Sequence, residues 1–225
     1  MELFDLLRSR HSVRRYTDRR IEGAVLAALE SETASCAAES GLRIRLCVDE
    51  PEAFNANKAH YGMVLGCRNY FAFYGAASDP ASEEGIGYYG ERLVLKAQEL
   101  GLNTCWVGLT YRKGKAATES ETGARPRIVI ALGYGKTQGV VRRKKAATTL
   151  SNVAPDSPEW FKRGMEAVCL APSAVNQQRY YFELRPDGTV AARAKFTLFG
   201  YAAMDLGIAK YHFELGAGKG NFRWA

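Results

Sequence analysis

Five residues near the N-terminus, Arg10-His11-Ser12-Val13-Arg14, place two guanidinium groups and a hydroxyl close together. A guanidinium binds phosphate through two parallel hydrogen bonds, and a hydroxyl supplies a further donor. Taken alone, such a group is most often a solvated basic turn. Its chemistry nevertheless suits an anion that carries several acceptor oxygens, and the segment is therefore a candidate anion site.

A second candidate segment occupies residues 171–178, Ala-Pro-Ser-Ala-Val-Asn-Gln-Gln. A Pro-Ser turn ends an amphipathic, helix-like stretch there, and several side-chain amides follow it. Amides both donate and accept hydrogen bonds, so they can recognise a ring edge that presents alternating N–H and C=O groups. The basic segment near the N-terminus therefore does not stand alone.

The charge of the chain is unevenly distributed. The 225 residues include 31 Lys and Arg against 24 Asp and Glu, a net charge of +7. Ten basic and two acidic residues lie in 112–145, and six basic and one acidic residue lie in 8–20, so the remainder is acidic. The run Val141-Arg142-Arg143-Lys144-Lys145 suggests nucleic-acid binding as one hypothesis. Charge runs are more often solvated, and no DNA- or RNA-binding motif accompanies this one.

Composition excludes several protein classes. With 47% hydrophobic and 24% charged residues, the chain resembles an ordinary globular protein and not a disordered or disulfide-stapled one. Its five cysteines form no C-x-x-C pair, and His11, His60 and His212 lie far apart, so we expect no metal site. The N-terminus lacks the features of a secretory signal, and no apolar run approaches ~20 residues. We therefore expect a reduced, cytoplasmic protein without a membrane span.

Two glycine motifs resemble nucleotide-binding sequences only superficially. Residues 85–90 spell G-x-G-x-x-G, but a predicted loop over 75–84 separates them from the preceding strand, and Thr110 stands where an acidic residue is required. We interpret these glycines as a closely packed helix start. Gly135-Lys136-Thr137 lacks the first glycine of a P-loop and no helix follows it, so we reject that function.

Hydrophobic periodicity predicts a mixture of helices and strands. Ala146–Ser157 has the composition of a linker. Because few clean β-α-β units occur, we expect an α+β fold and not a doubly wound sheet. The predicted helices lie near the N-terminus (Leu3 to Leu7) and at about 21–38, 87–100, 160–169 and 200–215, and the strands at 42–48, 69–74, 104–107, 127–132 and 179–184.

The order of elements partly repeats along the chain. The helix near Gly87 closes with Glu-Leu-Gly at 99–101 and leads to Trp106, and the helix near Gly200 closes with Glu-Leu-Gly at 214–216 and leads to Trp224. This repetition suggests an ancient duplication. We expect a single domain over 1–225, with a first half at about 1–150, a linker at about 146–157 and a second half at about 158–225, packed as an internal pseudo-dimer.

Three motifs together resemble the FMN-dependent nitroreductase superfamily: Arg-x-Ser-x-Arg at 10–14, Gly-Leu-Asn-Thr-Cys-Trp-Val-Gly at 101–108, and Ala-Pro-Ser-x-x-Asn-x-Gln at 171–178. The chain is most similar to the branch of that superfamily in which two half-domains are fused, and the resemblance covers nearly the whole chain. It implies a nitroreductase-like α+β fold with a central, mostly antiparallel sheet flanked by helices. It also implies FMN as cofactor and NAD(P)H as electron donor.

The resemblance also implies roles for individual residues. Arg10 and Ser12 would bind the FMN phosphate with His11 nearby, and Arg14 would lie toward N1 and O2 of the flavin, where a cation stabilises the reduced form. A second basic pair would reach the phosphate from Arg143 and Lys145, or from the pair one residue earlier. Residues near N5 and O4 would be Val107, Gly108 and Leu109, and those lining the flavin from the other half would be Pro172, Ser173, Asn176 and Gln178.

One departure from the family pattern follows the last of these motifs. Where the family continues with Pro-Trp, this chain has Arg179-Tyr180. Without the proline, the path into the next strand is less restricted. The added charge is either a surface arginine without a role, which is the simpler interpretation, or a feature that favours an acidic substrate.

The implied activity has two half-reactions at one site. NADH or NADPH would give a hydride to FMN N5, and an electron-poor small molecule such as a nitroaromatic or a quinone would then take two electrons from the same face. No catalytic side chain is required, which agrees with the absence of a catalytic triad or carboxylate pair. The alternatives are a non-catalytic flavin-binding protein and, less simply, a nucleic-acid-binding protein that uses 141–145. Both a monomer and a homodimer are compatible with the sequence.

Overall fold

The computed structural model describes residues 2–54, 63–75, 79–112, 115–117, 123–198 and 200–225. Helices and strands are mixed along the chain, which confirms the predicted α+β class. The helices are α1 (Leu3–Ser9), α2 (Gly23–Ser40), α3 (Pro80–Glu99), α4 (Ala147–Leu150), α5 (Glu159–Leu170) and α6 (Ala202–Ala217). The strands are β1 (Arg43–Cys47), β2 (Asn69–Tyr74), β3 (Asn103–Val107), β4 (Ile128–Gly133), β5 (Tyr180–Leu184), β6 (Thr189–Ala194) and β7 (Arg223–Trp224).

These elements form two compact units that interleave along the chain. The first, which we call the four-stranded unit, consists of Ser9–Asp79 and Arg92–Val141. The second, the three-stranded unit, consists of Met1–Arg8, Pro80–Glu91 and Arg142–Ala225. The predicted duplication with its boundary at 146–157 stays a prediction; that stretch contains the short helix α4, in which Leu150 is buried.

The four-stranded unit is built on an antiparallel sheet with the strand order β1-β2-β4-β3. Its central strands, β2 and β4, are buried at every position, as expected for apolar strands covered on both faces. The continuous apolar run of β2 is the reason that its bounds agree with the sequence prediction. One face of the sheet packs in a hydrophobic cluster that includes Val13 and Tyr16, from the segment that follows α1.

The three-stranded unit pairs β5 with β6 antiparallel and β6 with β7 parallel. An aromatic core lies against this sheet, with the rings of Phe182 and Phe213 stacked at 5.3 Å and Trp224 at 5.5 Å from Phe213. Sequence analysis missed β6 and β7. Apart from the buried Val190, the residues of β6 are small, polar or charged and at least partly accessible to solvent, so they lack the apolar alternation that identifies a half-buried strand.

Helices α3 and α6 meet backbone to backbone within the three-stranded unit. A Cβ atom added at Gly87 would overlap the carbonyl oxygen of Met204, and one added at Gly207 would overlap the carbonyl oxygen of Glu84. This confirms that Gly87 of the G-x-G-x-x-G motif serves close packing. The predicted helix start at 87 is wrong, however, because α3 already begins at Pro80, a residue suited to a first helical position.

A buried histidine joins three helices of the same unit. The Nε2 atom of His212 lies 3.0 Å from Oε1 of Glu91, and its Nδ1 lies 3.1 Å from the carbonyl oxygen of Ala167. Both side chains of the His212–Glu91 pair are fully buried. Because a carbonyl only accepts, Nδ1 carries a proton, and the contact links α6 to α3 and α5.

No helix in the described part of the chain is both long enough and apolar enough to cross a membrane.

The helix crossing leads to a prediction about stability. We expect Gly207→Ala to lower the free energy of unfolding by about 1–3 kcal/mol or more, because the new methyl group must push two helix backbones apart. Alanine's better helix propensity offsets about 1 kcal/mol at most. Chemical denaturation monitored by circular dichroism measures the difference.

Gly220→Ala is the matched control, since an added Cβ at Gly220 meets nothing within 4 Å. We expect it to change the free energy of unfolding by less than about 0.5 kcal/mol. Equal stability of the two variants would contradict the close helix crossing.

Candidate functional site

The Arg10–Arg14 segment leaves α1 and runs in extended form beside β3 in the four-stranded unit. The Val13 N–H donates to the carbonyl oxygen of Thr104 at 2.9 Å, and the Val13 side chain is fully buried. Successive side chains of an extended segment point to opposite sides, so Ser12 and Arg14 point away from the core. Both residues are half-buried.

Tyr16 anchors the end of this segment. Its phenol donates to the carbonyl oxygen of Val13 at 2.8 Å, and its backbone N–H donates to that of Leu65 at 3.0 Å. The N–H of Leu65 in turn donates to the carbonyl oxygen of Arg14 at 2.8 Å. Burial raises the pKa of the Tyr16 phenol well above its ordinary value, so the group stays a hydrogen-bond donor at all physiological pH values.

The loop after β4 lies against the same segment. Gly139 has φ +78°, and an added Cβ there would stand 2.7 Å from Cβ of His11. Asn103 fixes the loop, since its Oδ1 accepts from the Gly135 N–H at 3.0 Å and its Nδ2 donates to Oε1 of Gln138 at 3.1 Å. An added Cβ at Gly135, the glycine of the rejected P-loop motif, would stand 2.6 Å from Oδ1 of Asn103, so both glycines permit close packing of this loop.

Strand β3 carries the next predicted group. It ends at Val107, which is buried, while Gly108 is half-buried and Leu109 is 73% exposed. Val107 lies three residues beyond Thr104, or roughly 10 Å along an extended strand. Within the four-stranded unit, Arg10–Arg14 thus lies beside β3, and Val107–Leu109 lies at the end of the same strand.

The remaining predicted residues lie in the three-stranded unit, where the segment 171–178 follows α5. Three of its non-glycine residues have left-handed backbone conformations: Val175 (φ 43°), Asn176 (φ 57°) and Gln178 (φ 44°). Such conformations are unfavourable, especially for a β-branched residue, and persist only where the surroundings impose them. The turn is therefore held by its neighbours and not by its own preferences.

Side chains around the turn supply this restraint. Ser173 Oγ accepts a hydrogen bond from the Gln178 N–H at 2.8 Å. Asp205, in the first turn of α6, accepts from the Ala174 N–H through Oδ1 at 2.9 Å. The Nε2 group of Gln178 donates to the carbonyl oxygen of Cys169 at 3.2 Å. We call residues 173–178 the strained turn.

The basic segment is bound to the strained turn within the same unit. The Lys145 N–H donates to Oε1 of Gln178 at 2.8 Å, and its ammonium donates to the carbonyl oxygens of Gln177 at 2.5 Å and Gln178 at 3.1 Å. Nδ2 of Asn176 donates to the carbonyl oxygen of Arg143 at 2.8 Å. The predicted residues Arg143 and Lys145 thus lie beside Asn176 and Gln178.

This arrangement refines the predicted roles of two residues. Gln178 is only 2% exposed, and both ends of its amide are bonded within the unit. Partial burial, together with the charges of Arg179 and Lys195, lowers the pKa of the Lys145 ammonium. Contact of either side chain with a flavin stays a prediction, and their observed role is to hold the strained turn.

Sequence reasoning did not identify Asp205, a buried acidic residue that contacts the strained turn. The residue is 3% exposed, and its Oδ2 is buried without a hydrogen-bond partner among the described residues. Burial raises its pKa to about 7, although the Ala174 N–H opposes this shift. The only signal in the sequence is one acidic residue within the apolar stretch Ala-Ala-Met-Asp-Leu-Gly-Ile.

Neither metal nor thiol chemistry is indicated by the described residues. No three His, Cys, Asp or Glu side chains within them are grouped as metal ligands, and His60 lies outside them. All five cysteines are free, and four are buried. Burial raises the pKa of Cys47 to about 11 and of Cys67 to about 12, which disfavours the reactive thiolate.

The lysine contacts predict a local change in dynamics. We expect Lys145→Met to speed hydrogen exchange of the Gln178 amide about tenfold or more, because two carbonyls lose a charged donor and the strained turn loosens. Amide exchange followed by NMR or mass spectrometry measures the rate. The exposed neighbour Lys144 provides the control, and Lys144→Met should leave the rate unchanged. Equal protection in both variants would show that the ammonium does not hold the turn.

Comparison of the sequence and the fold with known proteins identifies the family to which the chain belongs. Among curated proteins no relative matches the chain. A structure from Thermotoga maritima described as a "putative nitroreductase" is 21% identical, covers 97% of this chain and 85% of that one, and superposes with a TM-score of 0.68. A "putative nitroreductase" from Desulfovibrio desulfuricans, in complex with FMN, is 18% identical with a TM-score of 0.50 and covers 70% of this chain and 98% of that one.

At these identities the structures establish a shared fold. A protein family described as "Putative TM nitroreductase" matches residues 2–217, which is nearly the entire sequence. The match extends through both compact units, and the chain belongs to this nitroreductase family.

Proposed function

We propose that the protein is an FMN-dependent oxidoreductase that uses NADH or NADPH to reduce an electron-poor small molecule, such as a nitroaromatic or a quinone. The observation that carries the proposal is the Arg10–Arg14 segment, held in extended form with Ser12 and Arg14 turned away from the core, in a chain that matches a nitroreductase family nearly end to end. The FMN bound to the Desulfovibrio desulfuricans relative supports the choice of cofactor.

The chemistry of the donor groups fits FMN. Arg10 and Ser12 offer the charged and neutral donors that a phosphate dianion requires, and Arg14 offers a further cation on the same side of the extended segment. The strained turn supports the same function, because left-handed non-glycine residues concentrate at binding sites. Ser173 and Asn176, both half-buried, would offer polar groups to the ring, and Gln178 holds the turn that carries them.

When bound, FMN supplies the hydride transfer at N5. The chain's residues would bind and tune it: Arg10 and Ser12 would hold the phosphate, and Arg14 would provide a fixed positive charge that favours the reduced flavin electrostatically. Gly108 allows the backbone after β3 to approach the ring closely because it has no side chain. None of these roles requires a side chain to transfer a proton, which agrees with the high pKa values of the thiols.

The proposal predicts that reconstituted protein shows the visible absorption bands of bound flavin. We expect the double variant Arg10→Ala, Ser12→Ala to bind FMN at least about tenfold more weakly, because two donors to the phosphate are lost. Titration followed by flavin fluorescence measures the affinity. Arg15→Ala removes an equal charge from an exposed neighbour and should bind FMN nearly as tightly as the wild type. Flavin-free protein after reconstitution would refute the proposal.

Turnover separates an enzyme from a flavin-binding sensor or store. We expect the FMN-loaded protein to oxidise NADH or NADPH catalytically when a quinone is present, with many turnovers for each flavin. Consumption of the nicotinamide, followed by its near-ultraviolet absorbance, measures the rate. A single stoichiometric reduction without further turnover would favour the non-catalytic alternative.

Nucleic-acid binding is the second candidate function, because several basic side chains of the 141–145 segment are exposed. Arg142, Arg143 and Lys144 are all exposed. Binding of this kind weakens steeply as the salt concentration rises, because counterions are released from the phosphates. DNA affinity that does not fall with salt would exclude this candidate, and the flavin titration tests the first proposal independently.

A further inference from the structure

We propose that Asp205 is a positioning residue for the strained turn, and that ionisation of its carboxyl makes flavin binding depend on pH. This inference rests on the proposed function, since the strained turn is assigned there to the flavin ring. Asp205 does not itself contact the flavin in this proposal. It acts by fixing the backbone of Ala174, at the start of the turn.

The position of the carboxyl supports this role. Asp205 is in the first turn of α6, where the helix dipole favours a negative charge, and its Oδ1 accepts the Ala174 N–H at 2.9 Å. Asp205 is only 3% exposed, and its Oδ2 has no hydrogen-bond partner among the described residues. A buried carboxylate with an unpaired oxygen is costly, which indicates a function other than stability.

The bond to Ala174 changes strength with the charge of Asp205. A hydrogen bond to an ionised acceptor is roughly twice as strong as one to a neutral acceptor. Burial raises the pKa of Asp205 to about 7, so the change in charge falls within the physiological range. Above pH 7 the carboxylate holds the turn firmly, and below pH 7 the neutral acid holds it less firmly.

Other titratable groups lie on the elements around Asp205. On β5, Tyr180 is fully buried, and its pKa is raised by burial and by the charges of Asp205, Cys169 and Glu91. Burial also raises the pKa of the Cys169 thiol, on α5. Glu91, on α3, is hydrogen-bonded to His212, on α6 itself. The Asp205→Asn variant separates Asp205 from all of these groups, because they remain unchanged in it.

Stability and flavin affinity should respond to pH in opposite directions. Because the folded protein binds the Asp205 proton more tightly than the unfolded chain, whose pKa is the ordinary 3.8, this group's contribution to stability is complete below pH 3.8 and is lost as pH rises through about 7. Flavin affinity should instead increase over the upper part of this range, as the turn becomes better held. A residue with only a structural role would move both quantities together.

The test compares FMN affinity of the wild type and Asp205→Asn between pH 5.5 and 8.5. The asparagine keeps an acceptor for Ala174 but never ionises. We expect equal affinities at pH 5.5 and about threefold to tenfold tighter binding by the wild type at pH 8.5. Titration of the FMN phosphate affects both proteins equally and cancels in the ratio. A ratio that is constant across this range would overturn the inference.

Two further measurements keep the test decisive. In flavin-free protein at pH 8.5, the Ala174 amide should exchange several-fold faster in Asp205→Asn than in the wild type, and equal rates would overturn the inference. Melting temperature should fall more between pH 5.5 and 8.5 in the wild type than in the variant. If the wild type binds no FMN at any pH, the proposed function fails, while the exchange rates still test the positioning role of Asp205.

Discussion

The direct contact between the backbones of α3 and α6 determines much of the three-stranded unit. Helices approach this closely only where glycine removes the side chain on both sides, at Gly87 and Gly207. The contact fixes the position of α6, and the buried pair of His212 and Glu91 fixes its rotation. Asp205, two residues before Gly207, is therefore held in one place relative to the strained turn, so a packing constraint on two helices becomes a positional constraint on Ala174.

The four-stranded unit positions its functional segment by a different method. Arg10–Arg14 belongs to no regular sheet strand, yet its backbone is bonded to Thr104, and Tyr16 ties its end to Leu65. Burial of Val13 then determines which side chains point away from the core. Both units thus use rigid elements to hold irregular segments, which is how binding residues on loops acquire fixed geometry.

Sequence reasoning succeeded where the signal is local. The apolar run of β2 predicted its exact bounds, whereas the binding role of Arg10–Arg14 stays a prediction. Sequence reasoning failed where the determinant is a distant partner: Asp205 and Ala174 are 31 residues apart, and Lys145 and Gln178 are 33. No periodicity links such pairs in a single sequence. The left-handed conformation of Val175 could not be predicted either, because a β-branched residue disfavours it and only its neighbours impose it.

The basic residues of the 142–145 segment differ in burial and in the contacts that they make. Lys145 is partly buried, and its ammonium is committed to two backbone carbonyls, whereas Arg142 to Lys144 remain exposed. Arg179, which directly follows the strained turn, donates through Nε to the carbonyl oxygen of Phe196, and its own carbonyl oxygen accepts from the Lys195 N–H at 2.7 Å. It therefore closes the start of β5 against the residue that follows β6. Burial and, after it, the charge of Arg179 lower the pKa of Lys145, so Arg179 adds to the electrostatic cost of gathering cations beside the strained turn. An anionic group near that turn would reduce this repulsion.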